Sequence, residues 1–579
     1  MSHDIGLQNI QLPYKKRPDV PYSINSLELS EEIIQSITPL FNKLHGVNFD
    51  ARYWSLLLQP HIQLILERTY DRFEHFYNYL PEEINYPHFS RINNDESIAR
   101  DPLFWYWQNL DNEIIINNEI LKYIDKCEDA KINTHSVKLS KKENYFITLF
   151  HPNFTIPRLK AFIKRITSLI ATPIKFLKRY IALAEFNKQK DRKVFLVGSF
   201  LSKDTEIRLK QSINFGKFSL LTTALENKHG KYLNKLSKDL KLRYANFRNQ
   251  KILITPPDQS SDVYNLFLDF IAIKILSFIP VFCVEEFHNY RMYFKDISSK
   301  CLICNSVVFW DPISRHAISD QLNRGAQIQV FQHGGGYGLQ KYDSWHNLEK
   351  KFADQWIGWS NSLNSNNVIT RESLMFFEQK TLQDKVSLGS EEFLNDILII
   401  GPFFKEVHSY NISMHPFYNR SVAGKLNLLI KALEEKNFSV RYRPYGWRED
   451  AVSLKRGKRL GPVTSIYDDI QSSRIIICSK TTTAVNDCLA CKRVPVLFFD
   501  FEENLNEFAI KKLDSLRQYK LYFSDPSELA ENLTMHQNYN FFTMEPAILG
   551  LYDQLFGIGI ASREVLISRI LAFIDTKTG

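Results

Sequence analysis

The run Gln332-His333-Gly334-Gly335-Gly336-Tyr337-Gly338 follows a strand-like stretch and concentrates unusual chemistry in a few residues. Three successive glycines let a backbone approach a ligand closely and turn several N–H groups toward an anion. An imidazole beside them exchanges a proton near neutral pH. The run lacks the Gly-Lys-Ser/Thr of a Walker A loop and the Gly-x-Gly-x-x-Gly dinucleotide fingerprint. His333 is therefore expected as a base beside a bound anion, with Gly334, Gly335, Gly336 and Tyr337 lining the cleft. The plainer alternative is a flexible turn whose histidine bonds the backbone.

Two further clusters suit an anionic ligand. In Arg441-Tyr442-Arg443-Pro444-Tyr445, two guanidinium forks alternate with aromatic rings, which fits a pyrophosphate or carboxylate beside a ring that needs stacking. The same alternation is met if Arg441 and Arg443 lie on one side of a strand and pair with neighbouring carboxylates. In Ser479-Lys480-Thr481-Thr482-Thr483, with Asn486 one turn on, a strand runs into a helix that opens among hydroxyls. Free N–H groups and hydroxyls there form a phosphate site to which Lys480 adds charge; ordinary capping is the competing reading. Glu285 and Glu286, after the strand-like Val281 to Val284, offer a carboxylate as an alternative general base or as a sheet-edge anchor. Asp468 and Asp469 lack Asp-x-Asp spacing and read as the opening of a surface helix, so no metal and no cofactor is expected.

The elements that must position these residues come in three stretches. Residues 1–190 read as helices and loops: Ser30 caps a helix whose apolar positions Ile33, Ile37, Leu40, Phe41 and Leu44 recur at three and four, ending near Gly46. A second helix from Arg52 carries Pro60 as a kink. From 191 to 390, short β-rich runs alternate with helices (Val194 to Val197, Ile252 to Ile254, Leu302 to Trp310, Gln327 to Phe331). The texture restarts over 391–579 with Asp396 to Ile400, Val440 to Arg443, Arg474 to Cys478 and Val494 to Phe499. Alternation of this kind predicts an α/β fold with two Rossmann-like doubly wound domains in series after a helical N-terminal region, with ligands at the carboxyl ends of the strands.

The chain has 579 residues, 44% hydrophobic and 24% charged, with 21 Gly and 22 Pro, which are globular proportions able to fill more than one core. The 13% aromatic content supplies both buried area and stacking surfaces. The formal charge is +9, and a net +9 is already reached between Arg158 and Lys193, so the basic excess is local. A nucleic-acid partner would spread it more widely, and none is expected. That segment alternates Phe, Ile and Leu with Lys and Arg, as an amphipathic helix on an anionic membrane surface does; a solvated basic face explains it equally well. Neither a secretory signal nor a membrane span is read, so a cytoplasmic protein is expected, peripheral on the inner face of the membrane if the basic segment touches it. Of seven cysteines, the pairs Cys301/Cys304 and Cys488/Cys491 could nominally hold zinc, but without knuckle glycines they read as buried thiols.

The three loops carry a resemblance. Arg52-Tyr53-Trp54 with Tyr70-Asp71-Arg72, the Gln332 to Gly338 run, Thr481 to Thr483, Asn486 to Leu489 and Val494-Pro495-Val496 are similar to motifs of a family of bacterial surface-polysaccharide transferases of GT-B architecture. More distantly, Arg443-Pro444-Tyr445 and Ser479 to Thr483 resemble loops of Kdo transferases and teichoic-acid polymerases, which use cytidine-activated donors; Tyr445 stands where those carry His. The resemblance implies an inverting, metal-independent glycosyltransferase that takes a sugar acid from a CMP donor to a glycan or lipid-linked acceptor in capsule or lipopolysaccharide synthesis. It also implies nucleotide-binding roles for Arg441, Arg443, Tyr445, the Ser479 to Thr483 loop and Asn486. A CDP-polyol phosphotransferase and a non-catalytic glycan-binding protein are the alternatives. A final helix around Arg563 to Ile574 is expected to pack back onto the first Rossmann-like domain.

Overall fold

The computed structural model describes residues 26–78, 119–120, 123, 192–197, 203–212, 215–218, 237–254, 262–285, 287–292, 298–305, 312–332, 336–341, 344–358, 368–369, 395–401, 416–444, 452, 454, 458–460, 465–480, 483–499, 502, 505–535, 546–556 and 563–578. These fall into two compact units. The first gathers Met1–Asp191, Lys217–Ser298 and Phe309–Arg324, the second Arg192–Gly216, Ser299–Val308 and Gly325–Gly579. The basic segment expected on a membrane lies outside the described residues up to Asp191. Among the described residues no helix is long and apolar enough to cross a membrane.

The first unit is helical. Helix α1 (Ser26–His45) buries Ile33, Ile37, Phe41 and Leu44 against α2 (Ala51–Asn78), and Gly46 ends it at φ 63°. Each such side chain stabilises by about 1.5–3 kcal/mol on burial. Ser30, expected as the cap, sits a turn inside the helix. Its hydroxyl donates to the Leu27 carbonyl and accepts from Gln59 Nε2 at 2.9 Å. Trp54 packs on Phe41 at 4.8 Å between centroids and donates its indole N–H to Asn42 Oδ1. Helices α3 (Lys238–Arg248), α4 (Asp262–Phe278), α5 (Phe287–Met292) and α6 (Pro312–Asn323) complete this unit.

The end of α4 shows how the unit satisfies its backbone. A helix leaves its last carbonyls unpaired, and here side chains take them. Arg248 Nη1 donates to Leu276, Ser277 and Ile279, while His61, His316 and His45 donate through Nε2 to Phe278, Phe282 and Cys283. Burial holds the His45 and His316 imidazoles down to about 3, so both are neutral donors at physiological pH. The stretch Val281–Cys283 is a 3-10 turn rather than the expected strand. Ile252 to Ile254 joins no ladder either; Ile252 N–H donates to Ala272 and Leu253 accepts from Ser36. Both runs are apolar enough for strands, but among the described residues they lie beside helices and have no strand to pair with.

The second unit holds two six-stranded sheets. In the first, β1 (Val194–Val197), β2 (Phe215–Phe218), β3 (Cys301–Asn305), β4 (Gln327–Phe331), β5 (Gln355–Ile357) and β6 (Val368–Ile369) run in the order 2-1-3-4-5-6, and the pairs from β1 to β6 through β3 are parallel. Helix α7 (Ser344–Phe352) connects β4 to β5. The second sheet contains β7 (Asn395–Ile400), β8 (Val440–Arg443), β9 (Lys458–Arg459), β10 (Ser473–Cys478), β11 (Val496–Phe498) and β12 (Tyr522–Phe523). Every pair is parallel, in the order 12-11-10-7-8-9. Its helices include α8 (Pro416–Glu435), α9 (Ile466–Gln471), α10 (Thr483–Ala490), α11 (Glu507–Gln518), α12 (Pro526–Met535) and α13 (Pro546–Phe556). Buried runs such as Cys301–Asn305 are what strands covered on both faces require. As expected, the last helix, α14 (Arg563–Thr578), packs Ile570, Phe573 and Ile574 onto Val194, Ile303, Phe331 and Ile357 of the first sheet.

At the end of β7 the chain turns at Gly401 with no room to spare. Its N–H donates to the Arg443 carbonyl, and a side-chain carbon there would overlap the ring and hydroxyl of the fully buried Tyr442. Gly401→Ala is expected to cost about 1–3 kcal/mol by overpacking, seen as a lower urea midpoint at unchanged slope. An unchanged midpoint would show that the turn is looser than described.

Candidate functional site

Parallel register decides which residues meet. In the second sheet Ile400 pairs with Arg443 on one side and Cys478 on the other. The ends of β8, β7 and β10 therefore align, with Arg443 and Ser479 flanking Gly401. Two strand spacings, roughly 10 Å, separate the outer pair. The strand order reverses between β7 and β10, which makes this edge the switch point where open α/β sheets leave a crevice.

Several predicted residues on this edge have a definite place. Ser479 donates its N–H and, at 2.8 Å, its hydroxyl to the Ile400 carbonyl, so it ties β10 to β7. Lys480 follows it and is buried, which pulls its amine down from 10.5 to about 7. Thr481 and Thr482 lie outside the described residues, and Thr483 opens α10 half-buried. Asn486, expected on the nucleotide, is buried and donates Nδ2 to the Phe556 carbonyl at 3.0 Å, fixing the end of α13.

Arg441 and Arg443 project to one side of β8 and share one carboxylate: each guanidinium bonds a different oxygen of Asp469, and Arg441 also donates to Ser472 Oγ. This is the carboxylate pairing allowed by the sequence, and it corrects the reading of Asp469 as a surface residue, since its side chain is only 4% exposed. The cause is α9, whose cap Ser465 sets the helix so that Asp469 faces β8. Tyr445 lies outside the described residues.

In the first sheet, His333, Gly334 and Gly335 lie outside the described residues, but both flanks of the loop are placed. Gln332 N–H donates to Ile357, and the chain resumes at Gly336 and Gly338 with φ of 83° and 73°, a region that side chains beyond Cα disfavour. Tyr337 donates its hydroxyl to Glu349 Oε1 at 2.9 Å, and Trp356 Nε1 donates to the other oxygen at 3.2 Å. Glu349 is fully buried on α7. Between the two rings stands His346, held neutral by burial at about 3. Tyr337 thus anchors the glycine-rich loop to the sheet beneath it.

Glu285 lies in the first unit, whereas the loops above belong to the second. Arg248 grips both its oxygens, Nε to Oε1 at 2.8 Å and Nη2 to Oε2 at 2.7 Å, with both side chains 6% exposed. A carboxylate so engaged steers Arg248 onto the carbonyls at the end of α4 and is not placed to accept a substrate proton. Glu286 lies outside the described residues. The described cysteines are buried without disulfides, and burial pushes the Cys304 and Cys488 thiols up.

Sequence reasoning missed Arg248, Glu349 and Asp469. Each looks like an ordinary charge on a helix, and only partners distant in the chain reveal its burial. Removing one member of a buried pair strands the other, so Glu285→Ala is expected to destabilise the first unit by about 3–5 kcal/mol in chemical denaturation. A change below about 1 kcal/mol, in the range of exposed pairs, would count against a structural role.

No curated protein matches the chain. Among solved structures it is similar to MurG of Acinetobacter baumannii, at 11% identity over 66% of this chain and 99% of that one, with a TM-score of 0.33. The wall teichoic acid polymerase TagF is similar at 11% identity over 73% and 99%, with a TM-score of 0.33, and a spinosyn rhamnosyltransferase, SpnG, complexed with spinosyn aglycone, at 8% over 66% and 100%, with a TM-score of 0.30. The model of one protein family matches residues 12–537, which is nearly the whole chain, and on that match the protein belongs to the LIC12162 family of transferases.

Proposed function

We propose that the chain is a metal-independent inverting glycosyltransferase that moves a sugar acid, of the Kdo or nonulosonic type, from a CMP-activated donor to a surface-polysaccharide acceptor. Residues 391–579 hold the donor and residues 191–390 present the acceptor. The observation that carries this reading is the shared edge of β8, β7 and β10, where Arg441 and Arg443, both held by Asp469, and Lys480 flank the switch point. An anion is favoured there, and fixed positive charge facing a departing phosphate lowers the barrier to its release.

In the reaction, His333 takes the proton from an acceptor hydroxyl as its oxygen attacks the anomeric carbon. The bond from that carbon to the donor phosphate oxygen breaks on the opposite face, and CMP leaves with its phosphate. Gln332 and the Gly336–Gln340 segment hold the two ends of the loop that carries the base.

Lys480 makes donor binding sensitive to pH. A phosphate beside the amine stabilises its charged form, so binding takes up a proton when the free amine sits near 7. CMP affinity is expected to weaken between about pH 6 and pH 8, and Lys480→Met to flatten that slope, both read by calorimetry. Stability has the opposite sense. The folded amine lies below its unfolded value of 10.5, so the unfolded chain holds more protons between about 7 and 10.5 and the fold gains stability as pH rises through that window.

His333→Ala is expected to lower turnover by about 100-fold or more while CMP affinity stays intact, measured by nucleotide release and calorimetry. Parent-like turnover would remove His333 from the reaction. Product analysis tests the reaction itself: glycosyl transfer releases the nucleotide with every donor phosphate, whereas a phosphate retained on the acceptor would mark a CDP-polyol phosphotransferase.

A further inference from the structure

The glycine-rich loop is held from two sides. Tyr337 ties it to Glu349 on α7, as described above. Its exit is tied to the second sheet at Asn506, the residue that caps α11. Asn506 N–H donates to the Leu339 carbonyl at 2.9 Å, its side-chain Nδ2 donates to the Gly338 carbonyl at 2.7 Å, and Gln340 pairs with Leu505 in an isolated antiparallel bridge. Leu339 is buried. Meanwhile Asn506 Oδ1 accepts the Ala509 N–H at 2.9 Å, so the two ends of one amide do different work: the oxygen starts a helix and the nitrogen holds a loop from the other sheet.

We infer that Asn506 is a positioning residue for the glycine-rich loop, fixing its exit against the sheet whose edge carries Arg443 and Lys480. Gly336 and Gly338 occupy positive φ, and among its described residues the loop has no ladder beyond the bridge at Gln340. Without outside bonds such a segment samples many conformers, and a base carried on it loses its aim. The consequence for turnover rests on the transferase reading; the ordering of the loop does not.

The two roles separate in one substitution. Asn506→Asp keeps an oxygen for Ala509 and adds negative charge at a helix N-terminus, where it is favourable, while setting a carboxylate oxygen against the Gly338 carbonyl. Asn506→Ala removes both bonds. Hydrogen–deuterium exchange is followed on the peptide covering residues 332–341 and on that covering α11, with thermal midpoints in parallel. The expected result for Asn506→Asp is exchange faster by about threefold to tenfold in the loop, from loss of one hydrogen bond, with α11 and the midpoint unchanged. Asn506→Ala should loosen both peptides. Loop exchange in Asn506→Asp equal to the parent overturns the inference, as does loosening of α11 and loop together in both variants, which would reduce Asn506 to a cap. With CMP-sugar-acid turnover as the further readout, Asn506→Asp should lower kcat and leave the donor KM in place. Faster loop exchange with unchanged kcat would show a latch that does not aim the base. If the parent turns over no nucleotide sugar, the transferase reading fails, and the exchange measurement still decides the role of Asn506.

Discussion

Parallel pairing in the second sheet is the constraint on which the candidate site depends. Because Ile400 is in register with both Arg443 and Cys478, three loops far apart in sequence must leave the sheet at one edge. A crossing of the chain from β9 to the far side of β7 produces that neighbourhood. The local details serve the same edge. Gly401 lets the chain turn over Tyr442, and Ser479 closes on the Ile400 carbonyl, so the loops begin from a rigid base.

Buried charge is the second organising element. A charged group taken out of water is costly unless its partners are close and well directed. Glu285 is matched by Arg248, Asp469 by two arginines and Glu349 by a tyrosine and a tryptophan. The stoichiometry matters for chemistry. The Arg248–Glu285 pair is balanced, which suits a structural element of the helical unit. Asp469 instead joins two arginines of one strand, one to each oxygen. Glu349 has neutral donors and holds a loop rather than a ligand.

The helical unit follows a different rule. Three of its histidines, His45, His61 and His316, are buried and serve as N–H donors to carbonyls around the end of α4. In the sequence they look no different from His333, the candidate base, yet burial keeps His45 and His316 as neutral donors. Counting histidines would not separate these uses; burial does.

The α/β character, the strands β7, β8, β10 and β11 and the helix that opens at the hydroxyl run were all legible in the chain, because runs such as Ile397–Ile400 and Ile475–Cys478 are long enough to show continuous apolar burial between turn residues. Strands of two or three residues, β5, β6, β9 and β12, carry too little pattern to be seen. Val281–Cys283 and Ile252–Ile254 carry a strand's composition without being strands. Ladder formation depends on a partner, and the partner is set by the tertiary fold. The sequence by itself determined which residue types could handle phosphate and protons: the histidine beside three glycines, the paired arginines and the hydroxyl-rich helix start. The tertiary structure alone decided that Asp469 pairs with both arginines, that Arg248 closes on Glu285, and that Asn486 is spent on α13. Those outcomes turn on contacts between residues 20 to 70 positions apart, and no local pattern of spacing encodes which buried charge will find which partner.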